Sequence, residues 1–348
     1  MPNRPLSARP TLGSFFFSAA LALAAGCSGL QQASPTSAGP GALPPMTLKI
    51  GHSLPDAKRG KQVLYVANWY GSSVEVLSAK THALVRQIST SPYNPNSVRV
   101  DGSGNLWVAL DTNGSQPSIW VYKPGASQPF RTLNGISQAV GIAIDPNGTV
   151  YVTEEATSNV SVFAPGSDTP TSTLADPNAT CCGWVAVDDQ HDVYFTYESP
   201  SVHTGAIDEF VNGSGQPKSL GITLGTFPGG IEVLKNDTLV VTEQGIVSLY
   251  LPAKIDTFPK GATTPSSVIT GNPNCDEWVG PALNKKKNRI YVGSIFTSTS
   301  CFINGTPAAM KEYTYPGGKL IGEYTAGITD QSGWTLLVPA ISPAPADQ

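Results

Sequence analysis

The 348-residue chain carries little charge and lacks the patterns of long helices. Asp, Glu, Lys and Arg together make up 13% of its residues, and it contains four His and three Met. No window of about 11 to 18 residues after Cys27 shows a convincing helical period, so no long helix is expected. The chain is instead rich in Gly (35 residues) and Pro (30 residues), which is typical of many short strands joined by turns.

The common motifs of catalysis and cofactor binding are also missing. The sequence has no Gly-x-Ser-x-Gly nucleophile elbow, no phosphate-binding Gly-rich loop, no Cys-x-x-Cys pair, no haem motif and no His-based metal motif. The standard catalytic routes are therefore unsupported by the sequence.

Basic residues are too few for a nucleic-acid-binding protein. Without residues 1–26, 19 Lys and Arg remain against 25 Asp and Glu, a net charge of −6. Nucleic acid requires a basic face on its partner. The composition therefore argues against nucleic acid and suits an exported body.

The first 26 residues have the pattern of a secretory signal peptide. Arg4 and Arg9 precede an apolar stretch from Leu12 to Ala25 that ends in small residues. This stretch is shorter than the roughly 20 apolar residues that a membrane-spanning helix needs. We therefore expect residues 1–26 to be a cleaved leader.

The end of the leader and the residue after it read Leu23-Ala24-Ala25-Gly26-Cys27, which resembles the lipobox of bacterial lipoproteins, with Leu one position earlier than usual. The resemblance implies cleavage before Cys27, lipidation of Cys27 and, because Ser28 follows, sorting to the outer membrane. The alternative is a plain signal peptide with a chance Cys.

Residues 27–46 are predicted to be a flexible tether, because Gln31 to Pro45 is uncharged and rich in Ser, Pro, Gly and Ala. The lipid on Cys27 would attach the protein to a membrane without a membrane-spanning segment. The expected location is the bacterial cell envelope.

Residues 47–348 contain a unit that occurs six times. In the copy from Val140 to Gly166, an apolar run, an Asp-Pro-Asn-Gly turn and an alternating strand follow one another. The alternating strand recurs with starts 42, 44, 43, 46 and 51 residues apart, a spacing typical of propeller blades. Its copies are Leu64–Ala67, Leu106–Ala109, Val150–Thr153, Val193–Thr196, Leu239–Thr242 and Ile290–Gly293.

Another strand precedes all but the first of these copies. The preceding strands are Ser97–Val100, Gly141–Ile144, Trp184–Val187, Ile231–Leu234 and Val279–Leu283. An unused strand, Gly333–Pro339, remains near the end of the chain and can pair with the first copy, which removes exposed sheet edges. The sequence thus predicts an all-β fold, a six-bladed β-propeller with four-stranded antiparallel blades, closed by the C-terminal strand.

These units resemble NHL-type propeller repeats, and Val150 to Val162 is also similar to the YVTN type of surface propeller. The resemblance spans residues 60–340. It implies the fold but no particular chemistry, because such propellers serve as binding modules, lyases, lactonases and scaffolds.

An exported protein is expected to pair its cysteines, since it occupies an oxidising space. Cys275 precedes the inner strand of the last blade and Cys301 follows the next strand, so both loops emerge on one face and a Cys275–Cys301 disulfide is predicted. For Cys181 and Cys182 a strained vicinal disulfide is the first interpretation, as a ligand lid or redox element. The alternatives are two free thiols or one bond to a distant loop.

The face that carries the blade-to-blade connections is the candidate binding surface. Acidic side chains follow the alternating strands of four blades there, and Asp111, Glu154 and Glu243 are candidate ligands of Ca²⁺ or another divalent cation. The alternative is a solvated acidic rim. The candidate binding residues are Asn68, Trp69, Asp111, Glu154, Tyr197, Glu198 and Glu243.

Three classes of function fit the sequence, of which the third is redox sensing through Cys181 and Cys182. The first is a monomeric binding or scaffolding module for an unknown small molecule or protein. The second is a metal-dependent hydrolase or lyase, similar to six-bladed lactonases, that uses the acidic rim.

Overall fold

The computed structural model describes residues 62–155, 157, 159–199, 204–296, 301, 308–325 and 337–342, without the side chains of residues 181, 182, 295 and 296. The predicted leader, Cys27 and the tether lie outside these residues.

The described chain forms six four-stranded antiparallel sheets, the blades, which follow one another along the sequence. Blade 1 contains β1 (Val63–Asn68), β2 (Ser73–Ser78) and β3 (Leu84–Ser89). Blade 2 contains β4 (Asn94–Val100), β5 (Leu106–Asp111), β6 (Ile119–Tyr122) and β7 (Arg131–Leu133). Blade 3 contains β8 (Ala139–Ile144), β9 (Val150–Glu154), β10 (Asn159–Phe163) and β11 (Ser172–Ala175).

The second half of the chain repeats this arrangement. Blade 4 contains β12 (Cys181–Val187), β13 (Val193–Glu198), β14 (Gly205–Phe210) and β15 (Lys218–Leu224). Blade 5 contains β16 (Pro228–Val233), β17 (Leu239–Glu243), β18 (Lys254–Phe258) and β19 (Ser267–Thr270). Blade 6 contains β20 (Asp276–Leu283), β21 (Arg289–Phe296), β22 (Ala308–Thr314) and β23 (Leu320–Tyr324), and β24 (Leu337–Ser342) completes blade 1.

The first strand of each sheet, here called the inner strand, faces the centre of the ring. The inner strands β24, β4, β8, β12, β16 and β20 contact one another in this order. Hairpins between inner and second strands lie on one face, called the lower face. Connections between blades and loops between second and third strands lie on the other, called the upper face.

Closure by the C-terminal strand is confirmed. β24 pairs antiparallel with β1, with Val66 opposite Pro339 and Leu64 opposite Ile341. All six alternating strands of the sequence prediction lie within the observed second strands of the blades. The ring therefore closes as the repeat predicts.

The closing strand lies further along the chain than predicted, at Leu337–Ser342 instead of Gly333–Pro339, and residues 333–336 lie outside the description. The prediction treated Pro339 as the end of a strand. An inner strand has no partner on its channel side, however, so it tolerates a residue without an N–H group. Pro281 occupies the corresponding position of β20, opposite Val292.

The inner strands of blades 2 to 6 each contain a register shift near the upper face. In blades 3 to 5 a Thr of the second strand bonds the irregular backbone: Thr153 accepts from Gly141 N at 2.7 Å and Thr196 accepts from Trp184 N at 3.1 Å. Thr242 donates to Gly230 O at 3.2 Å. The hydroxyls thus satisfy backbone groups that the regular ladder leaves open.

Candidate functional site

The central channel is narrow and closed by side chains. Residues from all six inner strands line a cavity of about 30 Å³, which has room for little more than a water molecule. Arg99 Nη1 of β4 lies 2.5 Å from Glu232 Oε1 of β16, and these strands stand on opposite sides of the ring. The ion pair therefore bridges the channel from wall to wall.

The position of this pair in the blades explains why it fits. Arg99 pairs with Trp107 and Glu232 pairs with Val240. Both residues thus occupy the same register position of their inner strands, here called the step. The other four blades have Ala at this step, namely Ala143, Ala186, Ala282 and Ala340. Four small side chains leave the space that the two long charged ones fill.

Trp184 of β12 fills the channel closer to the upper face. Its indole belongs to the same buried cluster as Val98, Ile231 and Val338 of other inner strands. A Cβ atom on Gly280 would lie 3.8 Å from Trp184 Cζ3, so the ring reaches across to β20. Trp278, by contrast, is fully buried against Tyr313, with ring centroids 5.4 Å apart, and packs between blades.

Four of the predicted binding residues are directed toward the third strand of their own blade instead of a shared mouth. Asn68 Nδ2 donates to Glu75 at 3.4 Å, and Glu154 accepts from Ser161. Tyr197 lies against Asp208, and Glu243 against Asp256. Glu75, Ser161, Asp208 and Asp256 occupy one register position on β2, β10, β14 and β18.

Glu243 has partners from two further residues. It accepts hydrogen bonds from Thr226 N at 3.0 Å and from Lys254 Nζ at 3.3 Å. Burial and the neighbouring Glu243 raise the pKa of Asp256 to about 8. Asp256 is therefore protonated near neutral pH, and Glu243 already has its positive partner.

Two further predicted residues, Trp69 and Asp111, come together with Glu155 across three adjacent blades. Trp69 of blade 1 hydrogen-bonds to Asp111 of blade 2, and burial raises the pKa of the Asp111 carboxyl. Burial and the charge of Asp111 raise the pKa of Glu155, in blade 3, to about 7. Asp111 and Glu155, with Trp69 beside Asp111, thus form a partly buried acidic arc.

The remaining predicted residue, Glu198, accepts a hydrogen bond from the Thr180 hydroxyl through its backbone oxygen, at 2.8 Å.

The structure does not bring Asp111, Glu154 and Glu243 together as one metal site. Within the described ranges there is no group of three or more His, Cys, Asp or Glu side chains that could hold a metal ion. In a strand, a residue two places after another points to the same sheet face. Glu154 and Glu243 come two places after Val152 and Val241, which pair with Ser161 and Asp256. Both Glu side chains therefore point to the sheet face that packs between blades.

The Cys275–Cys301 disulfide is confirmed, with Cα atoms 5.6 Å apart. It links the connection before blade 6 to the loop between β21 and β22 on the upper face. Cys181 and Cys182 begin β12, but their side chains lie outside the description, so their pairing stays a prediction.

The upper face also carries exposed apolar side chains, and the sequence analysis did not single out those of blade 5. The loop between β17 and β18 exposes Leu249 by 53% and Tyr250 by 72%. Reciprocal backbone hydrogen bonds of 2.9 and 3.2 Å between Ile246 and Leu251 close this loop. Tyr250 has a positive φ of 56°, which is uncommon for a bulky residue. Tyr70, in the equivalent loop of blade 1, is exposed as well.

No helix in the described part of the chain has the length and apolar character needed to cross a membrane.

The blades and their closed ring define the class of fold, a six-bladed β-propeller. No protein-family model and no curated protein matches the chain. Solved structures do match it. A chain in the crystal structure of the nidogen/laminin complex is similar, with 13% identity and a TM-score of 0.59, over 82% of this chain and 99% of that one.

Two further structures give a comparable result. A protein of unknown function from Bacteroides caccae has 11% identity and a TM-score of 0.58, over 81% of this chain and 98% of that one. A functionally unknown protein from Desulfotomaculum acetoxidans has 14% identity and a TM-score of 0.52, over 81% and 99%. At these identities the likeness shows the fold alone.

Proposed function

We propose that this chain is an exported, lipid-anchored propeller of the NHL/YVTN type that binds a protein partner on its upper face. The observation that carries the proposal is the exposed pair Leu249 and Tyr250 at the tip of a loop closed by its own hydrogen bonds. Tyr is among the residues that most often dominate binding energy at protein interfaces, and a loop held in place loses less entropy on binding.

The closed channel favours a surface partner over a ligand held on the axis. A drug-sized ligand occupies a pocket of roughly 300 to 1,000 Å³, whereas the space around Arg99, Trp184 and Glu232 is about 30 Å³. A partner that rests on the loops meets no such limit. The net acidic charge of the chain argues against nucleic acid as this partner.

Export and lipid attachment rest on the N-terminal sequence. The signal-peptide pattern and the lipobox-like segment before Cys27 support both, and the Cys275–Cys301 disulfide fits an oxidising compartment. Such a protein would act in the bacterial cell envelope, as a monomer tethered to the membrane through its lipid.

The metal-dependent hydrolase alternative has weaker support. Glu243 is paired with Lys254, and Glu154 accepts from Ser161 in its own blade. No observation on the described residues favours hydrolysis over binding, so we retain the binding function.

Site-specific photo-crosslinking in intact cells tests the proposal. A photoreactive residue in place of Tyr250 should give a discrete protein adduct. The same residue in place of Val268, which is exposed on the outer strand β19 away from the upper face, serves as the matched control and should give none. Absence of an adduct at Tyr250, or equal adducts at both positions, would contradict binding on the upper face.

A further inference from the structure

The lysines of the blades are distributed unevenly between the two faces of the ring. Hairpins between third and fourth strands share the lower face with the hairpins between inner and second strands, because the strands of a blade alternate in direction. Eight Lys occur in these lower-face hairpins, and seven of them belong to blades 5, 6 and 1. The segments that join the described strands at the upper face contain no Lys or Arg in their sequence. The lower face at blades 5, 6 and 1 is therefore the basic side of the ring.

Acidic residues do not balance this charge. The lower-face hairpins of blades 5, 6 and 1 contain one acid, Asp237, which pairs with Lys260. The hairpins of blades 2, 3 and 4 have the opposite composition, with six Asp against Lys123 alone. Five Lys of blades 5, 6 and 1 are exposed and take part in none of the ion pairs between described residues. These five, here called the basic patch, are Lys80, Lys235, Lys285, Lys286 and Lys319.

Hydrogen bonds hold the patch hairpins of blades 5 and 6 side by side. Within blade 6, Tyr315 N of the hairpin between β22 and β23 donates to Asn288 O of the hairpin between β20 and β21, at 3.0 Å. Ser267 Oγ, at the start of β19 in blade 5, donates to Pro316 O of blade 6 at 3.1 Å. The lysines of these hairpins thus belong to one continuous surface.

The described chain begins at the blade 1 part of this surface. Gln62 O accepts a hydrogen bond from Ala79 N, in the hairpin between β2 and β3, at 3.2 Å. The ring of His82 in the same hairpin stacks on Tyr324 of blade 6, with centroids 4.0 Å apart. Cys27 precedes Gln62 by 35 positions, and a flexible chain of that length spans about 30 Å. A lipid on Cys27 would therefore hold blades 1 and 6 close to the membrane.

We infer that the basic patch docks on the anionic lipid headgroups of the membrane that holds the lipid anchor. Each Lys close to an anionic membrane strengthens binding about fivefold, and the effect fades within about one Debye length. The acidic hairpins of blades 2, 3 and 4 are repelled by the same surface, so the ring tilts with blades 5, 6 and 1 toward the membrane. The upper face, with Leu249 and Tyr250 exposed, then points away from the membrane toward a partner.

The inference rests on the proposed lipid anchor for its setting, but its test does not need the lipid. The full mature protein with Cys27→Ala is mixed with vesicles and sedimented, so that only the protein surface can hold it. We expect binding to phosphatidylcholine vesicles that contain about 30% phosphatidylglycerol, and none to phosphatidylcholine alone. Salt at about 0.5 M should abolish the binding, because it screens exposed charges.

A pair of matched variants locates the binding surface. Lys285→Gln/Lys286→Gln should bind the anionic vesicles about 30-fold more weakly, from about fivefold for each Lys. Lys123→Gln/Lys218→Gln removes the same charge from the lower face of blades 2 and 4 and should stay within about twofold of the parent protein. All four side chains are exposed, so the substitutions leave the core intact.

Three results would overturn the inference. The first is a parent protein that does not sediment with the anionic vesicles. The second is an equal loss of binding in the two variants, which would reflect net charge alone. The third is capture by soluble polyglutamate without vesicle binding, which would assign the patch to an acidic protein. Failure of the vesicle assay leaves palmitate labelling of Cys27 and crosslinking at Tyr250 unaffected, so it is distinguishable from failure of the proposed function.

Discussion

Arg99 and Glu232 form an ion pair that joins blade 2 to blade 5 across the axis of the ring, with Nη1 and Oε1 2.5 Å apart. The two residues are 133 positions apart in sequence. Their side chains retain only 17% and 5% of their accessible surface. Removal of one partner therefore leaves a poorly solvated charge. This predicts that a single substitution destabilises the fold more than the double substitution does.

Arg99→Ala should destabilise the fold by about 3 kcal/mol, because it removes the positive charge beside the buried Glu232 carboxylate. The double variant Arg99→Ala/Glu232→Ala should lose less than Arg99→Ala alone, since its channel then resembles the four Ala positions of the other blades. Denaturant unfolding of the two variants measures this difference. A double variant that loses as much stability as Arg99→Ala, or more, would contradict the pairing.

The buried acid Asp256 predicts a pH dependence of stability. Its folded pKa, about 8, lies above the ordinary value of 3.8. The folded state thus binds more protons than the unfolded state between these values, so this contribution falls as pH rises from about 4 to 8. Asp256→Asn, which stays neutral, should gain stability relative to the wild type between pH 5 and pH 8. Thermal unfolding at both pH values tests this, and an unchanged difference would contradict it.

The Cys275–Cys301 bridge closes a loop of 26 residues. Its loss should cost roughly 3 kcal/mol through the added entropy of the unfolded chain. The variant Cys275→Ser/Cys301→Ser should therefore melt earlier than the wild type under non-reducing conditions. A reducing agent should bring the wild type down to the melting temperature of the variant. If the two proteins already melt together without reductant, the bridge contributes nothing to stability.

The lipobox-like segment predicts that Cys27 carries a lipid. Cys27→Ala should abolish labelling by radioactive palmitate and move the protein from the membrane fraction to the soluble fraction of the envelope. Cys275→Ser is the matched control, because it changes a cysteine far from the lipobox-like segment. Equal palmitate labelling of the two variants would contradict lipidation at Cys27.

The second strands of the blades were predictable because their alternation is local and repeats at a fixed spacing. Inner strands were harder, as Pro339 shows: a Pro ends most interior strands, but it is tolerated where a strand has an open channel side. The relevant fact was the position of the strand in the ring, which local sequence does not contain.

The candidate site was predicted less well, for a reason that the acids make clear. Glu154 and Glu243 were grouped because both end a strand near the upper face. The direction of a side chain depends on its place in the alternation along the strand. Both Glu side chains point to the sheet faces that carry Ser161 in blade 3 and Asp256 in blade 5. A blade-by-blade alignment could have found Arg99 and Glu232, since they are the charged residues at a step that is otherwise Ala.

Strand β24 gives blade 1 a strand from the far end of the chain. Blade 1 cannot be completed until residue 342 has been synthesised and delivered to the same compartment as residue 63. Under the proposed export, the ring would stay open until this last strand arrives, so the chain could still pass through a translocation pore in an unfolded form.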